Sequence, residues 1–214
     1  MSYGDGFPSE ILGEDRDYLL SLLGDRPNML ILEVGSWLGR GTSRIFANHV
    51  AQHGGHLVCV DTWEGNPGVD HHDKFKETAD PMVGFIANMK EWQLSKFVTM
   101  IRADSLTAHQ FLANQTFDFV FIDANHQYSF VSQDIKNYMP KVKSGGIFSG
   151  HDCETRFESL SDEVRALVLE HPEDDYLRPH HVHPGVILAL RDAGFPFKLA
   201  ADSGSGSSIW SRTV

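Results

Sequence analysis

The stretch from Asn28 to Thr42, NMLILEVGSWLGRGT, constrains the fold of this chain more than any other. An apolar run from Met29 to Leu32 leads through Glu33 into a turn with three glycines, and a helical pattern follows. A short apolar run bounded by turn residues is typical of a strand that is buried on both faces, as in parallel sheets. Glycines between a strand and a helix allow a ligand to approach the backbone in front of the helix N-terminus. The stretch therefore predicts an α/β fold that binds a nucleotide or a nucleoside.

Length and charge narrow the class of protein. The 214 residues suffice for one domain with a substantial core, so we predict a single domain over residues 1–214, in which residues 1–27 form a lead-in and a helix. The formal net charge of −11 argues against a nucleic-acid partner, because affinity for DNA or RNA depends on Lys and Arg side chains that neutralise phosphates. We expect a small-molecule substrate.

Three further features bear on location and assembly. No apolar run approaches the roughly 18 residues of a membrane span, and the N-terminal MSYGDGFPSE lacks the basic and apolar segments of a secretory signal. The two cysteines, Cys59 and Cys153, cannot form a disulfide framework, which favours a reducing compartment. We therefore expect a cytoplasmic protein with no membrane partner. The acidic composition and a helix over Glu14–Leu23 permit a homodimer.

Acidic residues follow four successive predicted strands. In each case the strand or the residues just after it contain an aspartate: His56–Val60 with Asp61, Phe97–Arg102 with Asp104, Phe117–Ile122 with Asp123, and Ile147–Ser149 with Asp152. The carboxyl ends of parallel strands meet at the edge of the sheet where α/β folds bind ligands. A carboxylate after the second strand is also where such folds bind the hydroxyls of a ribose.

The end of the chain completes the predicted sheet. Two β-like segments, Phe197–Ala201 and Ser208–Thr213, flank a Ser/Gly turn and favour an antiparallel hairpin. The predicted fold class is thus α/β: a doubly wound, Rossmann-like sheet of seven strands, mostly parallel, with an antiparallel C-terminal hairpin and helices on both faces.

Two groups of motifs resemble a known family. Residues 33–39, EVGSWLG, resemble the first motif of class I S-adenosylmethionine-dependent methyltransferases, E-x-G-x-x-x-G. Residues 121–128, FIDANHQY, and residues 144–152, SGGIFSGHD, are similar to small O-methyltransferases that include the sugar methyltransferases of macrolide and aminocoumarin biosynthesis. More distantly, they resemble catechol O-methyltransferase. The resemblance covers about residues 28–213.

The resemblance implies S-adenosylmethionine as the cofactor. Glu33 would face its ammonium and sulfonium end, Asp61 would bind the ribose, and Trp63 would pack on the adenine. Asp104 with Ser105 would read the adenine amino group. The full implied cofactor set is Glu33, Gly35, Ser36, Gly39, Asp61, Thr62, Trp63, Asp104 and Ser105.

The resemblance also implies a divalent cation, Mg²⁺ or Mn²⁺. A sugar or polyol hydroxyl is a poor nucleophile at neutral pH, and a cation together with a base would activate it. Related enzymes place metal carboxylates at positions matching Asp123, His151 and Asp152, and a base at the position of His126. The implied catalytic residues are therefore His126 and Asp123, and the implied metal ligands are Asp123, His151 and Asp152.

His151 departs from the family pattern, because better-known relatives carry a carboxylate there. An imidazole would shift the preference from Mg²⁺ towards Mn²⁺, Fe²⁺ or Zn²⁺. Alternatively, His151 points away and only Asp123 and Asp152 bind the cation. The chain is thus predicted to be a metal-assisted O-methyltransferase that acts on a hydroxyl of a small polyhydroxylated or catechol-like molecule.

Several alternatives stay open. The cluster of carboxylates and imidazoles also describes a metal-free acid/base site, and His126 could merely orient Asp123 at a helix start. The loop histidines are most simply solvated, and their contact with substrate or metal is undecided: His71, His72, His180, His181 and His183. Arg40 in the glycine turn could instead hold a phosphate, as in an NAD-dependent oxidoreductase. A third reading is a non-catalytic subunit that binds S-adenosylmethionine.

Overall fold

The computed structural model describes residues 13–65 and 80–214 of the chain. The predicted lead-in over residues 1–10 lies outside this part. So do His71 and His72, two of the loop histidines whose contacts were left undecided.

Helices and strands alternate along most of the described chain. In order they are α1 (Gly13–Leu23), β1 (Met29–Val34), α2 (Thr42–His53), β2 (Gly55–Asp61), α3 (Pro81–Glu91), β3 (Val98–Arg102), α4 (Ser105–Ala108), β4 (Phe117–Ile122), α5 (Tyr128–Tyr138), β5 (Val142–Gly150), α6 (Asp162–Glu170), α7 (Pro184–Ala193), β6 (Lys198–Leu199) and β7 (Trp210–Thr213).

The described strands form a seven-stranded sheet in the order β3-β2-β1-β4-β5-β7-β6. Strands β1 to β5 are parallel, and β7 runs antiparallel to both β5 and β6. The chain winds outwards from β1 in one direction and then from β4 in the other, so the order reverses between β1 and β4. Such a reversal opens a crevice at the carboxyl ends of the strands. The predicted fold class is confirmed.

The largest differences from the predicted element boundaries lie in β5 and in the C-terminal hairpin. Strand β5 begins at Val142 instead of the predicted Ile147, and its pairing with β4 shifts register between Phe117 and Phe119. The C-terminal hairpin is confirmed as an antiparallel pair, but Ala200–Ser203 forms a 3-10 turn instead of extending β6.

The alternation of apolar side chains along the strands builds a core on each face of the sheet. In β1, Ile31 belongs to one core, whereas Leu32 and Val34 belong to the other. Phe46 of α2 covers the first core, where its ring lies 5.4 Å from the rings of both Phe119 and Phe121. Burial of such a side chain contributes about 2 to 3 kcal/mol. The cores hold the strand ends, and hence the residues that follow them, in fixed positions.

Helix α1 is tied to the antiparallel edge of the sheet. The Tyr18 hydroxyl lies 3.1 Å from Ser211 Oγ, and Asp15 Oδ1 accepts a hydrogen bond of 3.2 Å from the Ser208 backbone N–H. Asp15 is 1% exposed, so this helix places a carboxylate inside the protein. Within residues 13–65 and 80–214, none of the helices is both long enough and apolar enough to span a membrane.

Candidate functional site

A cavity of about 800 Å³ lies at the carboxyl ends of the parallel strands. Residues after β1 and β2 line one end, and residues after β4 and β5 line the other. Among the predicted site residues, the lining includes Gly35, Ser36, Asp61, Thr62, Asp104, Ser105, Asp123, His126, His151 and Asp152. Residues up to 117 positions apart in the sequence, from Gly35 to Asp152, therefore line the same cavity.

The glycine turn after β1 passes close to the end of β4. Gly35 has a φ of +90°, and a Cβ atom there would lie 1.9 Å from the Asp123 carbonyl oxygen. No side chain fits in that space, and positive φ is itself favourable mainly for glycine. The contact joins the two ends of the cavity at one point.

Asp61 holds the glycine turn in place. Its Oδ2 accepts hydrogen bonds from the backbone N–H groups of Ser36 (2.7 Å) and Trp37 (2.8 Å), and its Oδ1 accepts one from the Trp63 N–H (2.6 Å). A carboxylate has about four acceptor positions, so it can still accept from a ligand. The predicted contact with a ribose stays a prediction.

Three predicted cofactor residues are not part of the cavity lining. Glu33 is fully buried, and its two carboxylate oxygens accept hydrogen bonds from the Thr42 and Ser43 hydroxyls at the start of α2. Trp63 is 2% exposed and donates its indole N–H to the Trp37 carbonyl at 2.7 Å. Gly39 packs against α3, where a Cβ would meet the Met89 side chain at 2.6 Å. In this structure these residues support the turn from behind.

Burial changes the acidity of Glu33. Loss of water around the carboxylate raises its pKa to about 7, although the hydroxyls of Ser43 and Thr42 oppose the rise.

Asp104 and Ser105 lie at the predicted adenine end. Asp104 is the N-cap of α4, and its Oδ1 accepts a hydrogen bond of 2.8 Å from the Leu106 N–H. Both residues line the cavity. Their position fits recognition of a base, which stays a prediction.

At the other end of the cavity five residues form what we call the imidazole–carboxylate cluster: Asp123, His126, His151, Asp152 and His183. His126 Nε2 lies 3.0 Å from Asp152 Oδ2 and 3.8 Å from Asp123 Oδ1. His151 Nδ1 lies 3.0 Å from Asp152 Oδ1. Asp152 is thus placed between two imidazoles.

Further carboxylates surround this cluster. Asp175 Oδ1 lies 3.0 Å from His126 Nδ1, and Glu154 Oε1 lies 2.5 Å from His183 Nδ1. Glu154 Oε2 also accepts a hydrogen bond of 3.1 Å from the His183 backbone N–H. The third outer carboxylate, Asp15 of α1, has its Oδ2 3.3 Å from His151 Nε2.

The close packing of opposite charges shifts the acidity of the cluster. Burial alone would lower the pKa of His126, but the carboxylates of Asp152, Asp123 and Asp175 outweigh it and raise that pKa well above its usual value. The pKa of His151 is raised in the same way, mainly by Asp152 and Asp15. Burial would raise the pKa of Asp152, yet the two imidazoles hold it well below its usual value.

Two groups of three side chains in the cluster could each bind a cation. In each group one potential ligand atom per residue lies within 4.8 Å of the others: Asp123, His151 and Asp152 form one group, and His126, Asp152 and His183 form the other. The first group is the predicted set of metal ligands. The second contains a residue that sequence reasoning did not select.

Of four further lining residues, three were not selected from the sequence, and the fourth, His183, was left undecided as a loop histidine. Asp175, Tyr176, Arg178 and His183 all come from the segment between α6 and α7. Tyr176 packs against His183 with ring centroids 4.8 Å apart and forms a hydrogen bond of 2.7 Å with His181 Nδ1. This segment follows no predicted strand, so the argument from strand ends does not apply to it. The one feature of the sequence that could have pointed to it is its high density of histidines.

Comparison with known families identifies the class of this protein. The chain belongs to the family described as a methyltransferase domain, whose model matches residues 32–153, more than half of the chain. It is a class I S-adenosylmethionine-dependent methyltransferase. The matched segment contains the glycine turn and four of the five residues of the imidazole–carboxylate cluster.

Solved structures share the fold at low sequence identity. A Staphylococcus aureus protein described as a candidate caffeoyl-CoA O-methyltransferase has a TM-score of 0.62 and 16% identity, over 95% of this chain and 85% of that one. The O-methyltransferase TomG of Streptomyces achromogenes, involved in tomaymycin synthesis and solved with S-adenosylmethionine, has a TM-score of 0.54 and 18% identity, over 93% and 77%. Cofactor-bound Rv0187 from MTB has a TM-score of 0.57 and 14% identity, over 94% and 79%. No curated protein matches the sequence.

Proposed function

We propose that this methyltransferase transfers the methyl group of S-adenosylmethionine to a hydroxyl of a small polyhydroxylated molecule, with the help of a divalent cation. The observation that carries the proposal is the layout of the cavity. Its nucleoside end has the carboxylates of Asp61 and Asp104 beside a glycine turn, and its other end has the imidazole–carboxylate cluster. The two ends meet where Gly35 touches Asp123.

The residues present fit both implied groups. Gly35 and Gly41 of the glycine turn line the cavity, and the carboxylates match the hydroxyls, amino groups and positive charge of S-adenosylmethionine. Aspartate and histidine side chains with ligand atoms within 4.8 Å of one another match the donor set of a divalent cation. When bound, the cofactor supplies the methyl group and the cation lowers the pKa of the acceptor hydroxyl.

The chain itself would orient the reactants and move one proton. Asp61 fixes the glycine turn, so that the cofactor site is formed before the ligand arrives. Removal of the proton from the acceptor hydroxyl falls to His126 or Asp123, the two predicted catalytic residues. Both line the cavity, and His126 is oriented by Asp175 through its Nδ1.

Methyl transfer can be measured directly. The metal-stripped protein is incubated with deuteromethyl S-adenosylmethionine, a panel of sugars, polyols and catechols, and Mg²⁺ or Mn²⁺, and methylated products are detected by mass spectrometry. We expect one acceptor class to gain the label in the presence of the cation, and loss of that label on addition of a chelator.

The Asp123→Asn variant tests the proposed site. We expect it to lose turnover by about 100-fold or more, because a group acting on the proton in the transition state typically contributes that much. The exposed Asp17→Asn variant is the matched control and should keep full activity. Near-normal activity of Asp123→Asn would contradict the proposed mechanism.

Two rival functions, an NAD-dependent oxidoreductase and a non-catalytic subunit, can be separated from this proposal. An NAD-dependent oxidoreductase would need affinity for NAD, and the E-x-G-x-x-x-G spacing of residues 33–39 departs from the G-x-G-x-x-G pattern. A non-catalytic subunit would bind S-adenosylmethionine without turning it over, which the mass-spectrometric assay detects. A cytoplasmic location, the absence of nucleic-acid and membrane partners, and a homodimer stay proposals on the grounds given by the sequence.

A further inference from the structure

We propose that the divalent cation is held by Asp152 together with the imidazoles of His126 and His183, and not by the predicted trio of Asp123, His151 and Asp152. This inference rests on the proposed metal-assisted function, but it concerns binding and can be tested without turnover. It assigns His183, a loop histidine, to the centre of the site.

The two groups compete for one carboxylate. Asp152 belongs to both, with Oδ2 3.0 Å from His126 Nε2 and Oδ1 3.0 Å from His151 Nδ1. On the His183 side, Nδ1 lies 3.7 Å from Asp152 Oδ1, and the rings of His126 and His183 meet edge to face with centroids 4.7 Å apart. His126, His183 and Asp152 thus converge on one small region of the cavity wall.

Outer hydrogen bonds favour the two-imidazole group. A histidine that binds a metal usually donates its other ring N–H to a carboxylate or a carbonyl, which fixes the ring and its tautomer. His126 Nδ1 has this bond to Asp175 at 3.0 Å, and His183 Nδ1 has it to Glu154 at 2.5 Å. Each imidazole would then bind the cation through Nε2, which in His126 faces Asp152 Oδ2 at 3.0 Å.

His151 is less well prepared. Its outer contact is with Asp15 at 3.3 Å, and neither His151 Nε2 nor Asp15 Oδ2 makes a hydrogen bond of acceptable geometry within the described ranges. Asp15 is held instead through Oδ1 by the Ser208 N–H. His151 is thus oriented by ion-pair contacts with Asp15 and Asp152, whereas His126 and His183 each have a directional hydrogen bond to an outer carboxylate.

The donor set predicts the kind of cation. Two imidazole nitrogens and one carboxylate suit Mn²⁺, Fe²⁺, Co²⁺ or Zn²⁺, whereas Mg²⁺ prefers an all-oxygen shell. Asp175 and Glu154 add negative charge behind the imidazoles and strengthen them as donors. With His126 engaged as a ligand, Asp123 is the carboxylate left to accept the proton of the acceptor hydroxyl; its Oδ1 lies 3.8 Å from His126 Nε2.

Titration with Co²⁺ separates the two groups. The metal-stripped protein is titrated by calorimetry and by the visible absorption of bound Co²⁺. We expect His183→Ala and His126→Ala each to weaken Co²⁺ binding by about 100-fold or more, and His151→Ala to change it by less than about threefold. Glu154→Gln should weaken binding by about 10- to 100-fold, the usual effect of losing an outer partner.

Matched controls remove the main ambiguities. His180→Ala, on the same segment, reports on non-specific binding by loop histidines and should leave the Co²⁺ isotherm unchanged. Each variant is also titrated with S-adenosylhomocysteine, which reports on the fold and on the cofactor site independently of the metal. If the wild-type protein does not bind S-adenosylhomocysteine, the proposed function is contradicted. The metal assignment is judged separately, on the Co²⁺ isotherms.

Electron spin-echo envelope modulation of bound Mn²⁺ counts the imidazole ligands in the wild-type protein, without any substitution. Two coupled imidazole nitrogens in the wild-type protein are expected for the proposed group, and one for the predicted trio. The assignment is overturned by a single coupled imidazole, by loss of binding in His151→Ala with retention in His183→Ala, or by the absence of specific Co²⁺ binding in the wild-type protein.

Discussion

Glu33 carries the sharpest prediction at the scale of single residues. It sits in the middle of the sheet, with no exposed surface, and anchors the start of α2 through the Thr42 and Ser43 hydroxyls. Its pKa of about 7 means that at neutral pH the folded protein holds a partly charged carboxylate in its core. A buried charge without a counter-ion lowers stability.

The sign of the pH effect follows from linkage. Because the pKa of Glu33 is raised on folding, its protonated form stabilises the folded state below the unfolded pKa, and this stabilisation is lost as the pH rises from about 4.5 to about 7. The rise corresponds to about 3 kcal/mol. We therefore expect the free energy of unfolding of the wild-type protein to fall across this window relative to Glu33→Gln, which stays neutral.

Urea denaturation at pH 5, 6, 7 and 8 measures both curves. The difference between the Glu33→Gln and wild-type free energies should grow up to about pH 7 and then level off. Surface Asp17→Asn is the control for a general change in net charge. Parallel curves for wild type and Glu33→Gln would show that Glu33 titrates normally in the folded protein.

Some residues of the site were predictable and others were not, for a physical reason. Asp61, Asp104, Asp123 and Asp152 follow strands, and parallel strands bring their carboxyl ends together whatever the rest of the chain does. His183 reaches the cluster from a segment between two helices, 57 positions beyond His126. Only tertiary packing brings it there, and no local period in the sequence records that packing.

Three residues of the predicted cofactor set lie outside the cavity lining: Glu33, Gly39 and Trp63. The family motif predicts direct contact of these residues with the cofactor, which stays a prediction. A motif does not distinguish a residue that touches a ligand from one that supports the turn. In this structure the side chains of Glu33 and Trp63 are buried and support the turn from behind.

At the scale of elements, the start of α7 is what places His183. Gly185 lies in the first turn of this helix, and a Cβ there would be 2.2 Å from the His126 carbonyl oxygen and 2.4 Å from the Tyr128 N–H. Backbone touches backbone at this point, so α7 and the segment after β4 are in direct contact. Because His183 precedes α7 by one residue, the same contact brings His183 to His126.

Gly185→Ala tests that contact. The added methyl group cannot fit unless α7 moves away, and overpacking of this kind costs about 1 to 3 kcal/mol. We expect a fall in thermal midpoint of about 2 to 4 °C per kcal/mol, together with weaker Co²⁺ binding because His183 shifts. Differential scanning calorimetry and the Co²⁺ titration measure the two effects.

Gly13→Ala is the matched control, since a Cβ at that position meets nothing within 4 Å among residues 13–65 and 80–214. It should leave both the thermal midpoint and the Co²⁺ isotherm close to the wild-type values. A wild-type midpoint and isotherm for Gly185→Ala would contradict the close contact between α7 and the segment after β4.

Element boundaries were predicted better where burial is complete. The apolar runs of β1 and β4 are buried on both faces, and their predicted limits agree with the structure to within two residues. Strand β5 was predicted too short, because Ser144, Gly145 and Gly146 are typical turn residues. The register shift between β4 and β5 accommodates those glycines within the strand pairing.

At the scale of the whole molecule, the order of the strands determines where the site forms. The reversal between β1 and β4 places the glycine turn beside Asp123, so the cofactor end and the cluster share one cavity. This topology followed from the alternation of strands and helices in the sequence together with the family motifs. The position of the residues at the other end of the cavity did not follow from the sequence, because it depends on the long connection between α6 and α7.

A calorimetric titration with S-adenosylhomocysteine, with NAD as a parallel control, shows directly whether this cavity is the S-adenosylmethionine site. We expect saturable binding with a dissociation constant of roughly micromolar order and no heat with NAD. Asp61→Asn should bind more weakly, because one of the two side-chain oxygens that accept hydrogen bonds from the backbone N–H groups of Ser36, Trp37 and Trp63 is lost. Absence of S-adenosylhomocysteine binding, or saturable binding of NAD in its place, would contradict the assignment of this cavity to S-adenosylmethionine.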